Sequence, residues 1–146
     1  MQHKWLWFFI VWGISGFCQT AFSEVIVITN PQVKLDSISK KQLKKLWLGN
    51  KHRRVNGIKL SPVDHDDDTP IRLSFYAKIV KKSARQMKAY WTKAIYHGNK
   101  FPPKKVNNST AVKQWILSHE NGIGYIDAAD LTDNENASFK ILLRIK

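Results

Sequence analysis

The fold class predicted for residues 24–146 is α/β: a single three-layer domain with a small, mostly parallel sheet flanked by helices. Three observations predict it. Val25-Ile26-Val27-Ile28 is an unbroken β-branched run, as expected of a strand covered by helices on both faces in the middle of a parallel sheet. The apolar run Ile58–Val63 passes through an acidic, turn-forming loop into a helix opened by Thr69-Pro70, which makes a strand–loop–helix unit. Two further helices are announced by Ser-x-x-Gln capping boxes at Ser39 and Ser83, in which the serine and the glutamine each satisfy an end amide.

Residues 1–23 are read as an address, not as fold. Lys4 precedes an apolar run from Trp5 to Phe17, and Ala21-Phe22-Ser23 is a small-x-small cleavage site, so a cleaved signal peptide is expected. The run is shorter than the roughly 20 apolar residues a membrane span needs. Cys18 follows Phe17 and so lacks the small-residue context of a lipid-modified cysteine. The expected mature domain, residues 24–146, has no cysteine and reads as one unit destined for a bacterial periplasm.

Taken in order, Thr29-Asn30-Pro31 closes the first strand. In an open α/β sheet, ligands bind beyond the carboxyl ends of the strands. Thr29 and Asn30 are therefore candidate ligand residues as well as turn formers. After the Ser39 capping box, Leu43, Leu46 and Trp47 form a buried stripe, and Gly49 stops the helix. Lys51–Gly57 is basic and turn-like. The helix from Pro70 carries Ile71, Phe75, Ile79 and Val80 on one side and is expected to end near Lys82. Thr69 suits the N-cap and Pro70 the first helical position. Met87, Tyr90, Trp91, Ala94 and Ile95 recur at helical spacing up to Gly98, and Tyr90, Trp91 and Tyr96 are expected in the core. Lys100–Lys105, with Pro102-Pro103, reads as a stiff connector. Asn108 or Ser109 caps a helix with Val112, Trp115 and Ile116 inside. Ile123–Ile126 is a short strand whose Gly124 signals close approach of a ligand or a neighbouring element. A polar loop, Asp130–Asn136, precedes the last strand, Phe139–Ile145, whose Lys140 and Arg144 turn outward.

The chain has 24 Lys+Arg against 11 Asp+Glu, a formal charge of +13. Such a protein attracts anions over long range: small oxyanions, anionic lipid, cell-wall polymers. Export argues against nucleic acid. Helix N-termini bind anions, because free N–H groups and the positive end of the helix dipole coincide there. That makes the Thr69–Pro70 entry the central candidate, with Thr69, Ile71 and Arg72 at the anion.

Other chemistry fits the residues less well. Asp64, Asp66 and Asp68 have the alternate spacing of a calcium loop, but Thr69 stands where glycine is wanted and Phe75 where the bidentate Glu belongs. His65, His97 and His119 lack zinc-site spacing. No cysteine and no Gly-x-Ser-x-Gly elbow offers an activated nucleophile after residue 23. No metal, no cofactor and no catalysis are expected.

Several residues carry a family likeness when taken together. They are Leu46-Trp47-Leu48-Gly49, Pro62-Val63-Asp64, Arg72 with Phe75-Tyr76, Ala89-Tyr90-Trp91, Gly98 with Pro102-Pro103, and Gly122-Ile123-Gly124-Tyr125. In this order they resemble the short, exported phosphate ABC transporter substrate-binding-like proteins of the type II periplasmic-binding-protein-like superfamily. The resemblance implies a reduced two-lobed binding fold that holds phosphate or a similar oxyanion where strand ends meet helix N-termini. A membrane transporter or sensor is then the implied partner. In full-length phosphate-binding proteins an arginine stands near the place of Asp64, and a Ser-Gly-Thr turn that opens a helix stands near Asp68-Thr69-Pro70. Arg72, on the first helical turn, is the nearby partial substitute that the resemblance implies. The implied ligand set is Thr29, Asn30, Asp64, Thr69, Ile71, Arg72, Gly124 and Tyr125.

Two functions follow as expectations. One is an exported solute-binding protein for a small oxyanion. The other is a non-catalytic envelope interaction module that kept the fold without the ligand, docking through a basic surface that includes Lys40, Lys44, Lys51, Arg53, Arg54, Lys104 and Lys105.

Overall fold

A computed structural model describes residues 24–49, 52–98 and 100–146. The expected signal peptide and Lys51 lie outside these residues.

The first element among the described residues is β1 (Val25–Thr29), buried along its whole length. It passes through a loop into α1 (Lys40–Trp47), whose Ser39–Gln42 capping box is complete. Leu43, Leu46 and Trp47 are buried as the stripe predicts, and Gly49 adopts φ 73° just past the helix. A two-stranded ribbon follows, β2 (Arg54–Val55) against β3 (Ile58–Lys59). Asn56 and Gly57 both take positive φ, the conformation a tight hairpin turn requires.

The expected single strand Ile58–Val63 is in fact two. Leu60 N–H donates to the Arg53 carbonyl, while Ser61 N–H donates to the Asn121 carbonyl. The chain therefore leaves the ribbon at Leu60 and enters the main sheet as β4 (Ser61–His65). Periodicity cannot see such a change of partner, because both pieces are extended and apolar.

Next come α2 (Pro70–Phe75) and a π-helical turn, Tyr76–Val80, that extends it. The turn ends at Lys81 in the left-handed region (φ 61°), close to the expected stop. The second capping box, Ser83 with Gln86, makes both bonds and starts α3 (Ala84–Gly98). Met87 and Trp91 are buried there, but Tyr96 is 85% exposed and is no core residue, as no other element among the described residues covers that side of the helix end. The basic connector ends in an unexpected short strand, β5 (Lys104–Val106), whose lysines suit an edge. Asn108 caps α4 (Ser109–Ser118) through its side chain. β6 (Gly122–Asp127), two 3-10 turns and β7 (Lys140–Ile145) complete the chain.

The sheet order is β5-β4-β6-β1-β7. β4 pairs in parallel with β5 and β6, while β1 is antiparallel to both β6 and β7. Four of the five strands thus run one way and β1 runs against them. β1 has the two-sided burial expected, but not the parallel neighbours.

Each strand sends alternate side chains to opposite faces. Val25, Val27, Ile123 and Tyr125 join α1, α2, the π turn and α3 in one apolar layer. Ile26, Ile28, Val63 and Ile126 join Val112 and Ile116 of α4 in the other. A Cβ on Gly124 would lie 2.7 Å from Val112 Cγ1 and 2.8 Å from Val63 Cγ1. The glycine is what lets α4 lie this close to β6.

Candidate functional site

β4 ends in two neighbouring residues that serve opposite faces. Asp64 enters the layer of α2 and the π turn. There its carboxylate accepts hydrogen bonds from Tyr76 Oη and Tyr125 Oη, each at 2.5 Å. Arg72 Nε donates to the same carboxylate at 3.3 Å. The Arg72 guanidinium lies 4.4 Å from the Tyr76 ring centre, and its Nη1 pairs with Asp67 at 2.9 Å. Asp67 in turn accepts from Lys105 Nζ at 2.7 Å. Asp64 is 1% and Arg72 4% exposed.

Such burial is tolerable because each charge meets an opposite charge or a donor. Burial pushes the Tyr76 and Tyr125 phenols up, and the Asp64 carboxylate reinforces the shift by repelling a phenolate and by taking the phenol hydrogen bond. Burial alone would lower Arg72; Asp64, then Tyr76 and Asp67, raise it overall. The Lys105 hydrogen bond holds Asp67 below the usual carboxylate range.

His65 looks the other way. Its Nε2 lies 2.8 Å from the Tyr125 carbonyl, so this nitrogen carries the proton and donates. The ring lines a cleft of 610 Å³ between the starts of α2 and α4. Thr69, Ile71, Ser109, Thr110 and Lys113 also border it, as do Asp127 and Asp130. Thr69 is the N-cap of α2, as expected, but its hydroxyl donates back to the Asp66 carbonyl. No side chain therefore caps the first turn, and the Ile71 and Arg72 amides lack the intrahelical partners that later residues have. Ser109 Oγ donates to Asp130 Oδ2 at 2.6 Å. Lys113 Nζ donates to the Asp130 carbonyl and to both oxygens of Glu135, which uses all three of its donors. The cleft therefore offers N–H and O–H donors beside carboxylates, with its lysine already paired.

The eight residues expected at the ligand fall into separate places. Thr69 and Ile71 border the cleft. Asp64, Arg72 and Tyr125 form the closed cluster on the far side of β4. Gly124 is filled by Val112 and Val63, the neighbouring-element alternative. Thr29 and Asn30 lie at the other end of the sheet: Thr29 Oγ1 donates to the Gly122 carbonyl at 2.6 Å and Asn30 Nδ2 to the Ile116 carbonyl at 3.3 Å. Gly122 pairs with Ser61, the first residue of β4. His65 is four residues farther along, roughly 13 Å at about 3.3 Å per residue. The antiparallel direction of β1 is the reason, since its carboxyl end meets the amino ends of its neighbours.

Tyr76, Asp67 and Lys105 were not anticipated in the cluster, nor His65, Ser109, Thr110 and Lys113 in the cleft. Tyr76 had a legible signal, since four residues after Arg72 is the same helix face. His65 had one too, because strand alternation sets it opposite Asp64. Of the calcium-loop acids, Asp64 is in the core. Among the described residues, no group of three or more His, Cys, Asp or Glu is placed to hold a metal ion.

No family model matches the chain, and no curated protein matches it in sequence. Solved structures do match. A Clostridium perfringens protein assigned as a phosphate ABC transporter substrate-binding protein, solved with bound phosphate, aligns at TM-score 0.58 and 17% identity, covering 82% of this chain and 45% of that one. An ABC-type phosphate transport receptor from Vibrio cholerae aligns at TM-score 0.57 and 13% identity, covering 82% and 46%. PstS from Borrelia burgdorferi aligns at TM-score 0.60 and 18% identity, covering 82% and 47%. The chain shares their fold and spans less than half the length of each.

Proposed function

We propose that the protein is an exported solute-binding protein that captures a small oxyanion, phosphate or one like it, in the cleft between α2 and α4, for an ABC transporter or a sensor. The observation that carries this reading is the shared fold with phosphate-binding proteins, combined with a cleft at the carboxyl end of β4 where two helix starts converge. The Ile71 and Arg72 amides, the Thr110 hydroxyl and the α4 N-terminus supply donors for the anion. The carboxylates of Asp127 and Asp130 would repel a bare dianion, but a carboxylate such as that of Asp130 accepts a hydrogen bond from an anion that carries a proton. Phosphate retains a proton at neutral pH and sulfate does not, so this lining favours phosphate.

The test is calorimetric titration of phosphate, then sulfate, into the whole chain at moderate salt, so that non-specific attraction is screened. Saturable one-to-one heat with phosphate, weakened at least tenfold by Thr110→Glu, is the expected result. No heat with either anion overturns the reading. Arg72→Ala is unsuited to the test, because it breaks the buried cluster whichever reading holds.

One observation favours the second reading, a non-catalytic interaction module. The arginine that would replace the family's anion-binding residue is already neutralised by Asp64 and Asp67. An absent phosphate signal, together with loss of partner capture from envelope extracts on Lys40→Glu/Lys44→Glu, would support that reading.

A further inference from the structure

From Thr69 to His119 the chain has eleven Lys or Arg and no Asp or Glu, so this stretch holds +11 of the chain's +13. Its most open element is α3. Of that helix only Met87 and Trp91 are buried, and much of the rest faces outward. Arg85, Lys88, Lys93 and Tyr96 stand on one continuous side, around a shallow depression. Arg85 and Lys88 also border the adjoining groove with Ile95, Pro102 and Lys105. Among the described residues Arg85, Lys88 and Lys93 form no ion pair; of the two acids that line this groove, Asp67 is held by Arg72 and Lys105, and Asp68 does not border the depression on the Lys93–Tyr96 side.

Apolar side chains protrude among these cations. Tyr96, at the depression, is 85% exposed and Ile95, at the groove, 49%. A face built only for solubility would carry charges without them. A small-ligand site would enclose its apolar groups rather than hold them outward. Cations mixed with protruding aromatic and aliphatic groups match the interfacial zone of a bilayer. There, basic residues meet anionic headgroups, and aromatic and aliphatic side chains enter the boundary of the acyl layer.

We infer that the α3 face carrying Arg85, Lys88, Lys93, Ile95 and Tyr96 docks the protein on an anionic phospholipid surface. Lysines and arginines near such a surface are attracted to it, and the apolar tips supply a contribution that salt does not screen. The α2–α4 cleft uses none of these five residues.

The experiment is flotation of the whole chain with vesicles of phosphatidylcholine alone and of phosphatidylcholine with about a third phosphatidylglycerol. Parent and variants share the same N-terminal segment, so the zwitterionic vesicles measure whatever that segment adds. The expected result is at least tenfold more bound protein on the anionic vesicles. Arg85→Glu/Lys88→Glu/Lys93→Glu should abolish that excess, and Ile95→Ser/Tyr96→Ser should reduce it several-fold at unchanged circular dichroism. Equal binding to both vesicles overturns the inference. So does parent-like binding by the charge-reversed protein or by Ile95→Ser/Tyr96→Ser. If polyglutamate competes as well per charge as the anionic vesicles do, the face reads an acidic polymer and the lipid assignment falls. Phosphate calorimetry on the charge-reversed variant separates this result from the cleft, which should be unaffected.

Discussion

Asp64 and His65 stand side by side at the end of β4, one turned into a closed cluster and the other toward an open cleft. On the Asp64 side, two phenols, a guanidinium, a second carboxylate and an ammonium satisfy one another in a chain of contacts. On the His65 side, hydroxyls and first-turn amides border 610 Å³ of space. A paired, buried charge fixes packing, whereas donors left facing open space can take a ligand. The two sides should therefore respond to substitution in opposite ways, the cluster in stability and the cleft in binding.

The sharpest break is Asp64→Ala. It leaves the Arg72 cation and two phenols buried without their shared acceptor, and removing one partner of a buried ion pair costs about 3–5 kcal/mol. Urea denaturation of the variant should show that loss. A change below about 1 kcal/mol would mean that the cluster is not the anchor its geometry implies.

Tyr76→Phe removes one hydrogen bond to a charged acceptor, about 1.5–3 kcal/mol, and should also alter the alkaline limb of stability. The Tyr76 and Tyr125 phenols are raised in the folded state above their ordinary value of 10.0. The unfolded chain therefore ionises first. The tyrosine contribution is fully present below that value and is lost as pH rises past it. Thermal melts of the parent should fall steeply above that pH, and those of Tyr76→Phe less steeply. Identical alkaline limbs would remove the phenols from the account.

On the cleft side, Gly124→Ala tests the packing that holds α4 in place. The added methyl must displace Val112 or Val63, and overpacking of this kind costs about 1–3 kcal/mol. Because the shift moves α4, phosphate affinity should fall as well, which the calorimetry of the parent and the variant would show. The smallest effect on stability belongs to Thr110→Glu, an exposed position at the start of α4. It should alter stability by less than about 0.5 kcal/mol while weakening anion binding at least tenfold. A variant that loses both together would blur the division between cluster and cleft.

Much of the secondary structure was legible because its determinants are local. The capping boxes at Ser39 and Ser83, the stripe Leu43-Leu46-Trp47, the Asn108 cap and the alternation through Ile123–Ile126 each depend on residues a few positions apart. They act before any long-range contact forms. The cleft was half legible: Thr69 and Ile71 follow from the strand–loop–helix reading, but the opposite wall comes from α4, far along the chain. Tyr96 misled because helical spacing shows which residues share a face without showing whether anything covers that face.

The sequence by itself thus determined the α/β class, most element positions and the place where strand meets helix beside Thr69. Only the tertiary structure decided the direction of β1, and with it the removal of Thr29 and Asn30 to the far end of the sheet. It also decided that Arg72 is bound by Asp64 rather than open to a ligand. The physical reason is the same in both cases. Strand direction and ion pairing are settled by partners from distant segments, here β6 and β7 for one and β4 with the Tyr125 phenol for the other. No local propensity encodes which of several possible partners will arrive.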